Sequence, residues 1–329
     1  MLSNLPIARQ SAPVTAPLDF LKIFSAQMRG AGIEFAITSG MACVHYGLQQ
    51  TTKDSDWIIP HEDLEKLRAL FVRLEGDLPT WRVSYRQICG APLDAEWMQH
   101  GWTSHLSIWD SAGSVEHKVD IFSKPPRVKP EEMSVDPDGW VSRHVVAQMK
   151  KTDRDKDWPI VDGLGRSLWG RRIETGLLHI MALAELRAAW NEADASARDR
   201  MATRRPLLRL LAQEPVVPDA ELRLMIALER MIWERVNEQR HSRFTRTWRN
   251  FYRNWRREEN WQWPTEEPFE RQHVRLTEAA HRHGLPANPA AGFPAEQLVQ
   301  AAVHDLLSGR RFTEKDIASV LPPVTELLP

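Results

Sequence analysis

Asp54, Asp56 and Asp120 are the residues of this chain whose type and spacing best suit chemistry. The first two stand two apart in Thr52-Lys53-Asp54-Ser55-Asp56-Trp57-Ile58-Ile59, and the third lies in Val115-Glu116-His117-Lys118-Val119-Asp120-Ile121-Phe122. Side chains alternate faces along a β-strand, so Asp54 and Asp56 would share a face about 7 Å apart, with a carboxylate on a neighbouring strand about 5 Å to the side. Carboxylates this close repel one another unless a cation lies between them, and hard oxygen donors are what Mg²⁺ takes. Such a set suits a two-metal site for phosphoryl or nucleotidyl transfer.

The elements around these aspartates follow from hydrophobic periodicity and turn residues. Apolar residues at helical spacing predict a helix over 20–28 that stops at Gly30 and Gly32. A β-branched run predicts a strand over 33–38, Ser39-Gly40 a turn, and 41–46 a short helix closed by Gly47. A strand over 56–59 ends at Pro60. Leu64, Leu67, Leu70, Phe71 and Leu74 share one face of a helix over 61–74, and three further strands are expected over 81–88, 105–109 and 115–122. Prolines 125, 126, 130 and 137 make 124–139 a loop, and 145–151 reads as a helix. Beyond about residue 170 strand signals vanish, and helices are expected over 174–193, 198–213, 219–239, 244–257, 267–284 and 295–307. Helices on both sides of a short strand set make the first half α/β or α+β, and with an all-α C-terminal part after it the expected fold of the chain is α+β. The expected organisation is a flexible tail over 1–15, a first domain over 16–168 and a helical domain over 169–329.

A chain of 329 residues is long enough for two cores, and 42% hydrophobic with 26% charged residues is ordinary globular composition. Only Cys43 and Cys89 occur, so no disulfide framework is suggested and a reducing cytoplasm is expected. Residues 1–17 hold three prolines and no apolar segment, which predicts neither signal peptide nor anchor. No stretch approaches the roughly 18 apolar residues of a membrane span.

Ser39-Gly40, opening a helix, would offer backbone N–H groups to an anion such as a triphosphate, with no Cβ at Gly40 to obstruct it. The series from Ile33 through Thr38-Ser39-Gly40-Met41-Ala42, then His45-Tyr46-Gly47, then Thr52-Lys53-Asp54-Ser55-Asp56, resembles the nucleotidyltransferase superfamily. Within it the likeness is to stand-alone enzymes of the AbiEii abortive-infection toxin type. It extends to Val119-Asp120-Ile121, to Val145-Val146-Ala147-Gln148-Met149-Lys150-Lys151 and to the run from Arg154 to Asp162, and so covers about half the chain.

The resemblance implies an α/β-type nucleotidyltransferase core with a short mixed sheet, and transfer of a nucleoside monophosphate from an NTP to an acceptor. Ser39 and Gly40 would hold the triphosphate, Asp54 and Asp56 would bind two Mg²⁺ ions, and Asp120 would complete the site and help deprotonate the acceptor. Lys150 or Lys151, with Lys150 preferred, would face the leaving pyrophosphate. The toxin-type likeness makes an RNA or tRNA end the leading acceptor, ahead of a protein hydroxyl or a small molecule. Three positions depart from the family pattern. Ser39 replaces a glycine, Ser55 an apolar residue between the aspartates, and Gln50 a frequent arginine. The last two support an alternative, a catalytically weak nucleotidyltransferase-fold protein or toxin–antitoxin component that acts by binding.

Residues 235–257 hold eight arginines against Glu238, a net of +7. Phe244, Trp248, Phe251, Tyr252 and Trp255 recur at steps of three and four, so they line one helix face, with Arg243, Arg246, Arg249, Arg253 and Arg256 mostly on the other. That pattern serves a solvated face over an aromatic core, an acceptor surface gripping RNA phosphates, or a dock for an acidic protein partner or antitoxin. Asp153-x-Asp155-x-Asp157 lacks the glycine and glutamate of a calcium loop, so capping or ion pairing is expected of it. The histidines of His281-Arg282-His283 do not face one another on a helix, and Cys43 reads as a core thiol.

Overall fold

The computed structural model describes residues 17–77, 81–109, 115–259 and 261–328. The tail expected over 1–15 lies outside them.

The first half folds as α1 (Pro17–Gly30), β1 (Ala36–Thr38), α2 (Ser39–His45), β2 (Asp54–Ile58), α3 (Leu64–Asp77), β3 (Arg82–Tyr85), α4 (Ala95–Met98), β4 (Thr103–Trp109), β5 (Glu116–Phe122), α5 (Arg143–Met149) and α6 (Trp158–Gly170). Five strands form one mixed sheet in the order β1-β2-β5-β4-β3, with β2 and β5 parallel and the other pairs antiparallel. This is the expected α+β architecture.

The period-two alternation gives the sheet two unlike faces. Ile37, Trp57, Val119, Ile121, Leu106, Ile108 and Val83 point to one side, where α1 and α3 supply Phe20, Phe24, Met28, Leu67 and Phe71 to a continuous apolar core. The other side carries Asp54, Asp56, Lys118, Asp120 and His105. It is covered in part by a smaller core of Ala36, Ala42, Cys43, Ile58, Val145 and Val146, which brings α2 and α5 beside the aspartates.

The second half is helical: α7 (Leu183–Glu192), α8 (Ala195–Arg204), α9 (Asp219–Trp255), α10 (Phe269–Arg282), α11 (Ala295–Ser308), α12 (Glu314–Val320) and α13 (Val324–Leu327). Its core begins at Trp158 on α6 and is tied internally by the buried Arg205 guanidinium, which grips both oxygens of Glu229 and donates to the carbonyls of Leu177 and Ile180.

The structure differs from the sequence expectation in two connected ways. The helices expected over 219–239 and 244–257 are a single one, α9, of 37 residues. The linking residues Gln239 to Arg243 are polar but include no glycine or proline, so nothing stops the helix. At 1.5 Å per residue α9 is about 55 Å long and spans both cores. Its first half, from Leu222 to Val236, lies in the helical core. Its Phe244, Phe251 and Trp255 return to the core of the sheet, followed by Trp263, Phe269 and Leu276. The cores therefore do not part at 168/169. Gln272 on α10 seals the edge of β3, accepting from the Tyr85 amide and donating to the Val83 carbonyl. Among the described residues no helix is long and apolar enough to cross a membrane.

Candidate functional site

The corner from β1 into α2 shapes one wall of the site. Ser39 takes the left-handed conformation at φ 52° that a glycine would hold at less cost. At Gly40 a Cβ would stand 2.4 Å from Thr52 Oγ1, so this glycine lets α2 lie directly on the segment leading into β2. Thr52 Oγ1 in turn donates to the Asp54 carbonyl at 3.1 Å.

Parallel pairing sets Asp54 beside Lys118 and Asp56 beside Asp120. Burial, followed by the charge of Asp120, pushes the Asp56 carboxyl up to about 7, against the opposing pull of Lys150 and of a hydrogen bond from Ser39. Two carboxylates abreast on a half-covered sheet cannot both hold full charge cheaply, and Asp56 is the member that yields. Asp120 is held differently: its Oδ1 accepts from Arg86 at 3.1 Å and pairs with His105 Nδ1 at 2.7 Å. Among the described residues Asp54 and Asp56 make no ion pair, while Asp120 is paired with Arg86 and hydrogen-bonded to His105.

Arg86 and His105 carry no sequence motif and were not expected. His105 lies opposite Asp120 in the β4–β5 ladder, and the Arg86 amide donates to the His105 carbonyl at 2.9 Å, so strand pairing alone delivers both to the site. Their only sequence signal is their position on strands that alternate apolar and polar residues.

The two adjacent lysines part company. Lys150 follows α5, is buried, and lies 3.4 Å from Asp157, close enough to Asp56 to oppose its rise. Lys151 enters the helical core instead. Its ammonium donates to the Leu178 carbonyl at 3.2 Å and lies 4.2 Å from the Trp233 ring centre, and burial pulls it down to about 7. Lys151 is thus not placed to meet a nucleotide at the aspartates.

Ser55 turns to the opposite face of β2, where it accepts from the Trp57 indole at 3.0 Å and donates to the Lys118 carbonyl at 3.3 Å. Gln50 is exposed on the loop before β2. Asp153, Asp155 and Asp157 are engaged by Asn237, Arg230 and Lys150 with Arg154, respectively, which is the expected pairing role. Cys43 is buried in the small core, and burial raises its thiol to about 11.

Of the arginines on α9, Arg235 pairs with Glu238, the Arg240 guanidinium is drawn down to about 10 by burial, and Arg243 stacks 3.7 Å from the Phe293 ring centre. Arg246, Arg249, Arg253, Arg256 and Arg257 are exposed. At 100° per residue Arg246, Arg249 and Arg253 fall within a sector of about 60° on α9, flanked by the half-buried, stacked rings of Trp248 and Tyr252, and Arg256 and Arg257 follow in the turn that ends the helix. Gln87, next in sequence to Arg86, donates to the Tyr252 hydroxyl, so the arginine face adjoins the edge of the carboxylate site.

Among the described residues no three His, Cys, Asp or Glu side chains converge into a group that could hold a metal ion. The donor set nevertheless fits Mg²⁺, which is usually held by one or two carboxylates together with water and substrate phosphates. Fold and site together define an α+β protein with a mixed sheet that presents three aspartates, a lysine and an arginine–histidine pair on one face. No family model, curated protein or solved structure matches this chain.

Proposed function

We propose that the chain is a Mg²⁺-dependent nucleotidyltransferase with a nucleotidyltransferase-type catalytic core, moving a nucleoside monophosphate from an NTP to an acceptor hydroxyl. The observation that carries this reading is the register of β2 and β5, which brings Asp56 abreast of Asp120 with Asp54 on the same face. Bound there, Mg²⁺ would screen the phosphate oxygens and so favour attack on phosphorus. Asp54 and Asp56 would hold the ion together with the triphosphate, whose oxygens the Ser39-Gly40 corner would receive. Asp120 takes the proton as the acceptor oxygen bonds to the α-phosphorus and the bond to pyrophosphate breaks. Lys150 places its charge near Asp56, where negative charge on the leaving pyrophosphate is relieved.

The exposed arginine row supports an RNA end as acceptor, since five exposed guanidinium groups on and just beyond the end of α9, none in an ion pair among the described residues, suit a row of phosphates. The test is incubation with each labelled NTP, Mg²⁺ and total RNA. Label should pass to RNA with wild-type protein and not with Asp56→Asn. Label reaching no acceptor, with wild type and variant alike, would sink the proposal. A binding protein without chemistry is the second reading, favoured by the two partners that already occupy Asp120. It predicts nucleotide binding with no transfer of label.

A further inference from the structure

We infer that this site takes a single divalent cation per nucleotide, on Asp54 and Asp56, with Arg86 standing at Asp120 where a second ion would otherwise lie. The inference rests on the nucleotidyl-transfer reading and specifies how many ions that chemistry uses in this chain.

A second ion would have to share Asp56 and Asp120. The Arg86 guanidinium already lies 3.1 Å from Asp120 Oδ1, and it cannot shed its charge by deprotonating. An ion on Oδ2 would face a fixed like charge across one carboxyl group, at a distance where such repulsion is strong in a half-buried site.

Arg86 is not a surface arginine free to swing away. Its side chain is 20% exposed and its backbone is bonded to His105 in the strand ladder. The neighbouring Gln87 is anchored to Tyr252 on α9. His105 adds a second donor to the same oxygen, and Gly90 lies close against its ring, where a Cβ would stand 2.8 Å from Cδ2. Asp120 is therefore fixed with one oxygen saturated and Oδ2 left for a proton from the acceptor.

The other end of the triad is the reverse. Asp54 and Asp56 have no ion-pair partner among the described residues, since Lys118, although abreast of Asp54, makes no ion pair with it and Lys150 is turned to Asp157. Acceptor capacity for a cation is concentrated on these two carboxylates.

The experiment counts Mn²⁺ bound to the full chain in the presence of a non-hydrolysable α,β-methylene NTP, by electron paramagnetic resonance of the free ion. Wild type is expected to hold one Mn²⁺ per bound nucleotide in all, counting the ion the nucleotide carries, and Arg86→Met two. Should Arg86→Met fold poorly, Asp120→Asn serves in its place. It should leave the wild-type count and affinity nearly unchanged, whereas Asp56→Asn should weaken binding by at least about tenfold, the scale of a disrupted metal shell. Two ions on wild type, or loss of an ion in Asp120→Asn, overturns the inference while leaving nucleotidyl transfer standing. If Asp56→Asn binds Mn²⁺ as wild type does, both the inference and the nucleotidyl-transfer reading fail.

Discussion

Replacing Asp56 by asparagine should stabilise the metal-free protein at neutral and alkaline pH, although it removes a residue central to the proposed chemistry. In the folded chain the Asp56 carboxyl is pushed up from 3.8 to about 7 by burial and by Asp120. A raised carboxyl means that the native state keeps a proton the unfolded chain releases. Stability is therefore lost as pH rises from about 4 through 7, and is level beyond. A shift of roughly three units at 1.36 kcal/mol each sets an upper bound of about 4 kcal/mol on the cost of ionised Asp56 at pH 8. Asparagine is uncharged and nearly the same shape as aspartate, so Asp56→Asn should gain up to that amount at pH 8 and almost nothing at pH 4. Urea unfolding in EDTA at several pH values between 4 and 8 measures the gap directly. A variant no more stable than wild type at pH 8, or a gap that does not widen between pH 4 and 7, would refute the electrostatic account of the Asp56–Asp120 pair.

Other consequences are as specific. Ser55→Ala should cost about 1 kcal/mol by leaving the Trp57 indole without its acceptor, yet leave Mg²⁺-dependent nucleotide binding intact, as urea melts and calorimetry would show. Reversing Arg246, Arg249 and Arg253 to glutamate should weaken RNA binding across sequences. The slope of log affinity against log salt should fall by about one for each of these arginines that grips a phosphate, read by titration at several salt concentrations. Arg205→Met strands a buried Glu229 and should destabilise by about 3–5 kcal/mol, while the double change with Glu229→Leu should recover most of that loss in chemical denaturation.

Much of the sheet was legible because half-buried strands must alternate. The run from Asp54 to Ile58 and the run ending at Phe122 announce both their strands and the face on which their aspartates stand. That Asp56 and Asp120 are neighbours depends on the parallel pairing of β2 with β5 across more than sixty residues, which no local pattern encodes. Arg86 and His105 carry no local signal for the same reason: a cross-strand partner is a property of register, not of spacing. No local pattern gives a physical ground for the preference for Lys150 over Lys151, because both follow a buried helix and only the path of the chain after α5 sends one toward the aspartates and the other into the helical core. The polar segment from Gln239 to Arg243 resembled a break, but side-chain polarity does not end a helix when the backbone can continue. The return of α9 to the sheet core was hidden because its aromatic stripe would suit a separate helical core equally well.

The most direct test of the central claim is calorimetric binding of an NTP to wild-type protein and to Asp56→Asn, with Mg²⁺ and with EDTA. The account predicts that Mg²⁺ tightens nucleotide binding to wild type by at least about tenfold, or 1.4 kcal/mol, and does nothing for Asp56→Asn. Equal affinities with and without Mg²⁺, or equal enhancement in the variant, would contradict it.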